Sequence, residues 1–322
     1  MFILMIALLG GISKSMAQNT LVATLTHGDE ITMFYGVYAL QQAHAAAVDG
    51  DIINLSGGAF QSVKITKALT IRGTGVLDPL PTSIKGDFSI EVPTTATERL
   101  SIEGCKVSGQ ISVYGTLSNA YFLKDEIHGL FVNSYDNMIN GTFVNCHAAG
   151  ITIRNRSTAQ FVNSIVELSN ESETTASATF INCVVHNWRG NAASLKSSQL
   201  INCILFNDDT FYSFSSMPST SCAWNCVAVG KGNESVFDNL SVKQNCKAAG
   251  TDIFKGGGGY NDLTDEAKAT YLGTDGTPIG MYGGAMPFSL TPTYPQITKM
   301  NVANRTTADG KLSVEIEVSA TE

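Results

Sequence analysis

Apolar and polar positions along the middle of this chain repeat with a fixed period. Ala178-Thr179-Phe180-Ile181-Asn182-Cys183-Val184-Val185 has near-copies at Phe143-Val144-Asn145-Cys146, Phe161-Val162-Asn163-Ser164, Leu200-Ile201-Asn202-Cys203 and Ala223-Trp224-Asn225-Cys226, and Asn245-Cys246 keeps the last two letters. Aligning the cysteines draws in Cys105 and Asp125, giving a column at 105, 125, 146, 164, 183, 203, 226 and 246 with steps of 20, 21, 18, 19, 20, 23 and 20. A period of about 20 residues excludes propeller blades, which run about twice as long. Leucine is too sparse for leucine-rich repeats. Short strands joined by turns tolerate a residue more or less per coil, so the pattern predicts an all-β, right-handed parallel β-helix.

The columns explain the stacking. Two residues before the Asn position stand Ile102, Phe122, Phe143, Phe161, Phe180 and Leu200; three after it stand Val107, Ile127, Ala148, Val166, Val185, Leu205, Ala228 and Ala248. Both should point inward as files spaced by about 4.8 Å, the strand separation. A single coil cannot bury its apolar side, but a stack can, at roughly 1.5–3 kcal/mol per large side chain. Asn145, Asn163, Asn182, Asn202, Asn225 and Asn245 suit the corner because Asn tolerates left-handed backbone angles. Their stacked amides should form a structural ladder.

Two further columns should face outward by alternation. Leu123, Val144, Val162, Ile181, Ile201 and Trp224 precede the Asn position, and Ile165, Val184, Ile204 and Val227 lie two after it. Contiguous exposed apolar patches mark contact surfaces. The expected cover is the C-terminal tail; the second choice is a homo-oligomer contact through Val144, Ile181, Ile201, Val184 and Ile204.

The flanks divide the chain into four segments. Residues 1–17 read as a secretory signal, with an apolar run from Phe2 to Leu9 and small residues at Ser15 and Ala17, though the positive start is missing. The run is too short to span a bilayer. Residues 18–52 form a cap in which Leu40, Ala43, His44 and Ala47 line one side of a short helix that plugs the first coil. Coils occupy 53–260, with an expected Pro-bearing loop insertion at 76–98 and a smaller polar loop from Ser169 to Thr175. In the last segment, 261–322, Thr264 to Tyr271 reads as a short helix, and Ile297–Val302 with Leu312–Val318 reads as a hairpin around Asp309-Gly310.

Composition narrows the picture. The net charge is −8, or −9 once a leader carrying one lysine is removed, and only 15% of residues are charged. That is a poor match for phosphate backbones, which need clustered Lys and Arg, so nucleic acid is not an expected partner. No stretch beyond the leader could span a membrane, and the expected location is extracellular, cell-surface or periplasmic. Seven cysteines in an exported chain suggest disulfides. Six lie in the one inward column, however, where parallel Cβ vectors oppose a relaxed bridge, so buried free thiols are expected. The redox state of Cys222 stays open. No spacing suggests a zinc site.

A resemblance adds to this reading. Ala39-Leu40-Gln41-Gln42-Ala43, Asp49-Gly50-Asp51-Ile52-Ile53-Asn54-Leu55, Gly57-Gly58-Ala59-Phe60 and Ile65-Thr66-Lys67-Ala68-Leu69-Thr70-Ile71-Arg72-Gly73 resemble the N-terminal entry of parallel β-helix proteins of the pectin-lyase-like superfamily, bacterial exported type. The segment Thr274–Gly284 resembles the one that closes such β-helices. The resemblance implies a fold more than an activity, since that superfamily holds lyases, hydrolases, epimerases and non-catalytic proteins. A lyase would imply an Arg or Lys base beside calcium-binding acids, and a hydrolase clustered Asp with Gly-His-Gly and Arg-x-Lys segments. The hydrolase segments are missing and no lyase Arg motif stands out. No cofactor is evident, with calcium expected only for a lyase.

Candidate chemistry is sparse. Four after the Asn position stand His128, Ala149, Glu167, His186 and Phe206, which puts Glu167 and His186 one coil apart, with Arg189 and Asp208 near the following turns. Arg154, Arg156 and Lys196 belong to an adjacent face. This group could bind or process an acidic glycan, or could be a surface ion pair worth about 0–1 kcal/mol. Asp208-Asp209 reads first as a solvated turn. Trp188, Phe211 and Tyr212, with Phe214, are candidates for a sugar-stacking platform, although aromatics also fill cores. The expected function is non-catalytic recognition of a polysaccharide or another surface. The alternative is a polysaccharide lyase or glycoside hydrolase with an atypical site.

Overall fold

The computed structural model describes residues 21–77, 80–132, 135–154, 156–169, 177–187, 195–207, 211–256, 262–292, 295–302, 305–306, 309–311 and 313–319. The predicted leader lies outside them. The chain begins with an antiparallel hairpin, β1 (Val22–His27) and β2 (Glu30–Tyr35), closed by Gly28 at φ +58°. β1 pairs antiparallel with β3 (Ile52–Leu55), the first coil strand. Between them α1 (Ala39–Ala46) buries Ala39, Leu40, Ala43 and His44 against the core. It plugs the first coil as its apolar side predicts. The Lys67 ammonium donates to the carbonyls of His44, Ala45 and Ala47 at 2.7, 3.1 and 2.6 Å, which satisfies the exposed end of the helix. His44 is a packing residue: its Nε2 accepts from the Thr66 amide at 3.2 Å, and burial, with Lys67 nearby, pushes its pKa down.

From β3 onward every coil strand in the two long sheets is parallel, and the chain forms a β-solenoid of about nine turns. The first sheet runs from β3 to Val242–Gln244, the second from Gly58–Gln61 to Lys247–Ala249. Residues about twenty apart are vertical neighbours: Phe122, Phe143, Phe161, Phe180, Leu200 and Ala223 pair in succession. The four rings lie at centroid distances of 4.5, 4.6 and 5.2 Å with interplanar angles of at most 14°. Strand spacing, not the ring quadrupole, sets that near face-to-face stack.

The corner works as the column predicts. Every Asn of the column has φ between +46° and +56°, and Lys124 and Gly104 take the same conformation upstream. The next residue then points inward. Cys105, Cys146, Cys183, Cys203 and Cys226 are fully buried, and all seven cysteines are free thiols. Each buried thiol of the repeat lies within bonding range of a main-chain carbonyl; Cys183 Sγ is 3.2 Å from Ile181 O and 3.3 Å from Phe161 O. Asp125 is the exception in the file. Its Oδ1 accepts from the Cys105 amide at 2.8 Å, while Oδ2 is buried with no hydrogen-bond partner. Burial drives its carboxyl well above the usual range.

Three expectations are corrected. Residues 76–98 are not a loop insertion. They contain the strands Thr82–Lys85, which continues the second sheet, and Phe88–Ile90, which stacks on Ile111–Val113 to form a third side of the early coils. Ile84, Phe88 and Ile90 are fully buried, and Pro81 and Pro93 stand outside the paired segments, where no ladder amide is needed. Second, the cover over the column from Ile165 to Val227 comes from residues 253–256 and 262–288, which precede the C-terminal hairpin. Ile165, Val184, Ile204 and Val227 form a second core with Ile253, Phe254, Leu263, Ala267, Ile279 and Met281. The helix α2 (Asp265–Thr270), capped by Thr264 Oγ1 accepting from the Ala267 amide at 3.2 Å, holds Ala267 in it. The hairpin strands Gln296–Val302 and Val314–Ser319 pair with each other in a two-stranded sheet of their own, and Leu312 lies outside the described residues. Third, Val184 and Ile204 have no surface left for a second copy, since their own chain buries them. Val144 is buried as well, and Ile181 and Ile201 are half-buried.

The Asn column also departs from a simple ladder. Amide-to-amide bonds link Asn245 to Asn225 at 2.7 Å and Asn225 to Asn202 at 3.5 Å. Earlier amides hold the cover instead. Asn163 Nδ2 donates to Met281 O at 2.9 Å and Gly283 O at 2.6 Å, and Asn202 Oδ1 accepts from the Thr274 amide at 3.0 Å. Gly284, at φ +72°, passes so close that a Cβ there would lie 2.2 Å from Asn182 Nδ2.

Candidate functional site

With the middle coils covered, the outward positions of the second sheet are open in the early coils and at Lys247 of the last strand, and the early ones are polar. After the corner residue the chain turns inward once and then alternates, so residues two and four beyond the corner face out. The first file reads Lys106, Glu126, His147, Ile165, Val184 and Ile204 in register; the second holds His128 and then Glu167, His186 and Phe206. Each file changes from polar to apolar where the cover begins. A bulge between Ala148 and Ile151 interrupts the register in between.

The polar ends form two neighbouring clusters. Glu126 Oε1 accepts from Lys106 Nζ at 2.7 Å and lies 2.8 Å from His128 Nε2. His147 Nε2 reaches diagonally across one coil to Glu167 Oε1 at 3.1 Å. Burial lifts the Glu126 carboxyl, but the bonds from Lys106 and His128 outweigh it and hold the group below its ordinary value. Glu167 is also lowered, chiefly by the His147 bond against a smaller burial effect, with His186 and His128 adding their charge. Both carboxylates are therefore ionised and tied on an open sheet face.

The placement of the sequence candidates is mixed. Glu167 and His186 are direct register neighbours, yet His147 makes the bond to Glu167 and His186 packs edge-on against Phe206 at 5.1 Å. Phe206 is buried under Phe254 and belongs to the second core. Arg189, Asp208, Asp209 and Trp188 lie outside the described residues. Phe211 and Tyr212 are exposed, at 85% and 51%, with their carbonyls held by Lys231 Nζ and Asn207 Nδ2, both at 2.9 Å; Phe214 is buried. Arg154 stacks over Phe131 at 5.6 Å on the third side of the coil, away from the charged file, and Arg156 and Lys196 are exposed.

Lys106, Glu126 and His147 escape the sequence reading. The signal for them is present: they occupy the column two beyond the corner, the one read as an apolar stripe from Ile165 to Val227. Extending that column upstream of Asn163 finds them.

The donor set does not suit a metal. Among the described residues no three His, Cys, Asp or Glu side chains converge to hold an ion, and the two open carboxylates are already bonded to nitrogen donors. Calcium of the lyase kind has no ready cage among them, since it takes six to eight oxygen ligands.

Compared with protein-family models, characterised proteins and solved structures, the chain matches none.

Proposed function

We propose that this chain is an exported recognition module, a parallel β-helix of the pectin-lyase-like kind that binds a polysaccharide without cleaving it. The observation that carries the reading is the pair of clusters Lys106–Glu126–His128 and His147–Glu167 on the open face of a sheet. Its rungs recur every ~4.8 Å. A regular file of hydrogen-bonding side chains suits a polymer whose hydroxyls and charges also recur regularly. Both carboxyl groups sit below the ordinary range, whereas glycoside hydrolysis needs an acid raised above it and held ready to donate. Glu126 and Glu167 thus serve better as fixed acceptors than as proton donors. Exposed Phe211 and Tyr212 supply stacking surface on later coils.

A glycan panel tests this directly. The full chain is expected to retain one class of polysaccharide, and the double variant His147→Ala/Glu167→Gln to lose that retention with an unchanged melting curve. Ultraviolet-absorbing unsaturated ends or new reducing ends released from any retained glycan would favour the lyase or hydrolase and overturn the binding reading.

A further inference from the structure

The two ends of the first sheet are built differently. At the C-terminal end the last strand, Val242–Gln244, is exposed, and its central residue Lys243 occupies the inward file that holds Phe180, Leu200 and Ala223 in earlier coils. Its ammonium turns back to the Phe237 carbonyl at 3.1 Å. An inward-pointing lysine blunts a sheet edge against pairing. At the N-terminal end β2 carries no such device. Ile31, Met33 and Tyr35 are exposed at 66%, 56% and 57%, and no other strand pairs with the outer edge of β2 among the described residues. Neither Lys nor Pro interrupts it.

The backbone of β2 is oriented for one partner. The Gly36 amide donates to Leu21 O at 2.8 Å, across the β1–β2 register. Antiparallel bonding alternates, so Glu30, Thr32 and Phe34 turn their amides and carbonyls toward β1. Those of Ile31, Met33 and Tyr35 point to the free edge. The same three residues carry the exposed apolar side chains.

We propose that β2 is a homodimer interface, in which two copies of the chain join their first sheets by antiparallel β2–β2 pairing about a two-fold axis at Met33. In this register Met33 faces Met33 of the second copy and Ile31 faces Tyr35, with Thr32 opposite Phe34 on the other face. The pairs Met33–Met33, Ile31–Tyr35 and Tyr35–Ile31 are those whose free backbone groups meet, so each exchanges both its bonds. Like charges do not oppose one another, because Glu30 falls opposite Gly36. A single strand becomes self-complementary, as a two-fold interface requires.

Sedimentation equilibrium on the full chain should give twice the chain mass, and Met33→Lys should halve it by setting two ammonium groups against each other on the axis. Met33 is exposed and its backbone points away from β1, so this variant should keep the parental circular dichroism and should melt, at every concentration, where the diluted parent melts. Mild oxidation of Met33→Cys should yield a covalent dimer, because a hydrogen-bonded antiparallel pair holds Cα atoms about 5.5 Å apart, inside disulfide range. Tyr35→Cys, offset from the axis, should not cross-link, nor should the parent. A monomeric parent at every concentration, a dimer that survives Met33→Lys, or cross-linking of Tyr35→Cys in preference to Met33→Cys would each overturn the proposal.

Discussion

Glu126 and Ile204 occupy the same column of the same sheet, four coils apart, and point the same way. Glu126 lies in an ion-pair network open to water, and Ile204 is fully buried beneath the closing segment. The strand that carries each side chain is interchangeable. What differs is whether another part of the chain passes overhead, and that decides whether the outward face of a coil becomes a second core or meets water. The closing segment thus does two things. It completes the fold over the later coils, and by stopping where it does it leaves the early coils available.

Substitutions at equivalent positions should separate the two regions. Ile204→Ala removes packing from both sides of the second core and should cost about 2–5 kcal/mol, read as a lower midpoint in urea unfolding. Glu126→Ala, in the same column, should cost no more than about 1 kcal/mol. Equal losses at the two positions would dissolve the distinction.

The corner column gives a second, smaller contrast. Asn163→Ala removes the short polar side chain that makes φ +46° tolerable and strips the donor from the carbonyls of Met281 and Gly283. Strain of about 1–2 kcal/mol adds to the loss of those bonds, so a drop of roughly 2–3 kcal/mol is expected. Asn163→Gly keeps the left-handed backbone and should recover the strain share alone. At the exposed end of the column Asn245→Ala loses one solvent-exposed amide bond, to Asn225 at 2.7 Å, and strips nothing from the cover, so it should cost less than Asn163→Ala. The fit of both Asn163 variants in one denaturation series checks the split.

Asp125 and the surface carboxylates should respond to pH in opposite directions. Folding raises the Asp125 carboxyl, so the folded protein keeps a proton that the unfolded chain releases. Its contribution is complete below the unfolded value near pH 3.9 and declines as pH rises toward the folded value. Ser164 occupies the same file with a satisfied hydroxyl, accepting from the Cys146 amide at 3.0 Å and donating to Val162 O at 2.8 Å. Asp125→Ser should therefore stabilise the protein at pH 7, on the order of 1 kcal/mol, with the gain vanishing in acid. Glu167 is lowered on folding, so its contribution is present above about pH 4.3 and is lost as pH falls through the folded value. Glu167→Gln should change stability least, by under about 1 kcal/mol, and should flatten the acid limb. Paired melting curves across pH 3–8, a window spanning both ordinary ranges, distinguish the two signs.

The solenoid, its inward files and the left-handed corner were legible in the sequence because each is a consequence of a local period. Once Phe143, Phe161 and Phe180 share a column, the strand spacing stacks them, and Asn before Cys marks where the backbone turns. The site was legible only in part. Glu167 and His186 fall in register by counting, but the bond from His147 runs diagonally beside a bulge that no count anticipates. Prolines at 79, 81 and 93 pointed to a loop where two strands form, since proline position within a segment, not proline number, decides whether pairing survives.

Which residues become vertical neighbours was written in the repeat itself, because in a solenoid sequence separation converts directly into height. Which outward faces meet water was settled only in three dimensions. The cover supplied by Ile253, Phe254, Leu263, Ala267, Ile279 and Met281 comes from a stretch without the period, and its contacts with Ile165, Val184 and Ile204 depend on where an irregular chain can travel once the coils exist. Local alternation assigns a side chain to a face; only the path of distant residues determines what that face touches.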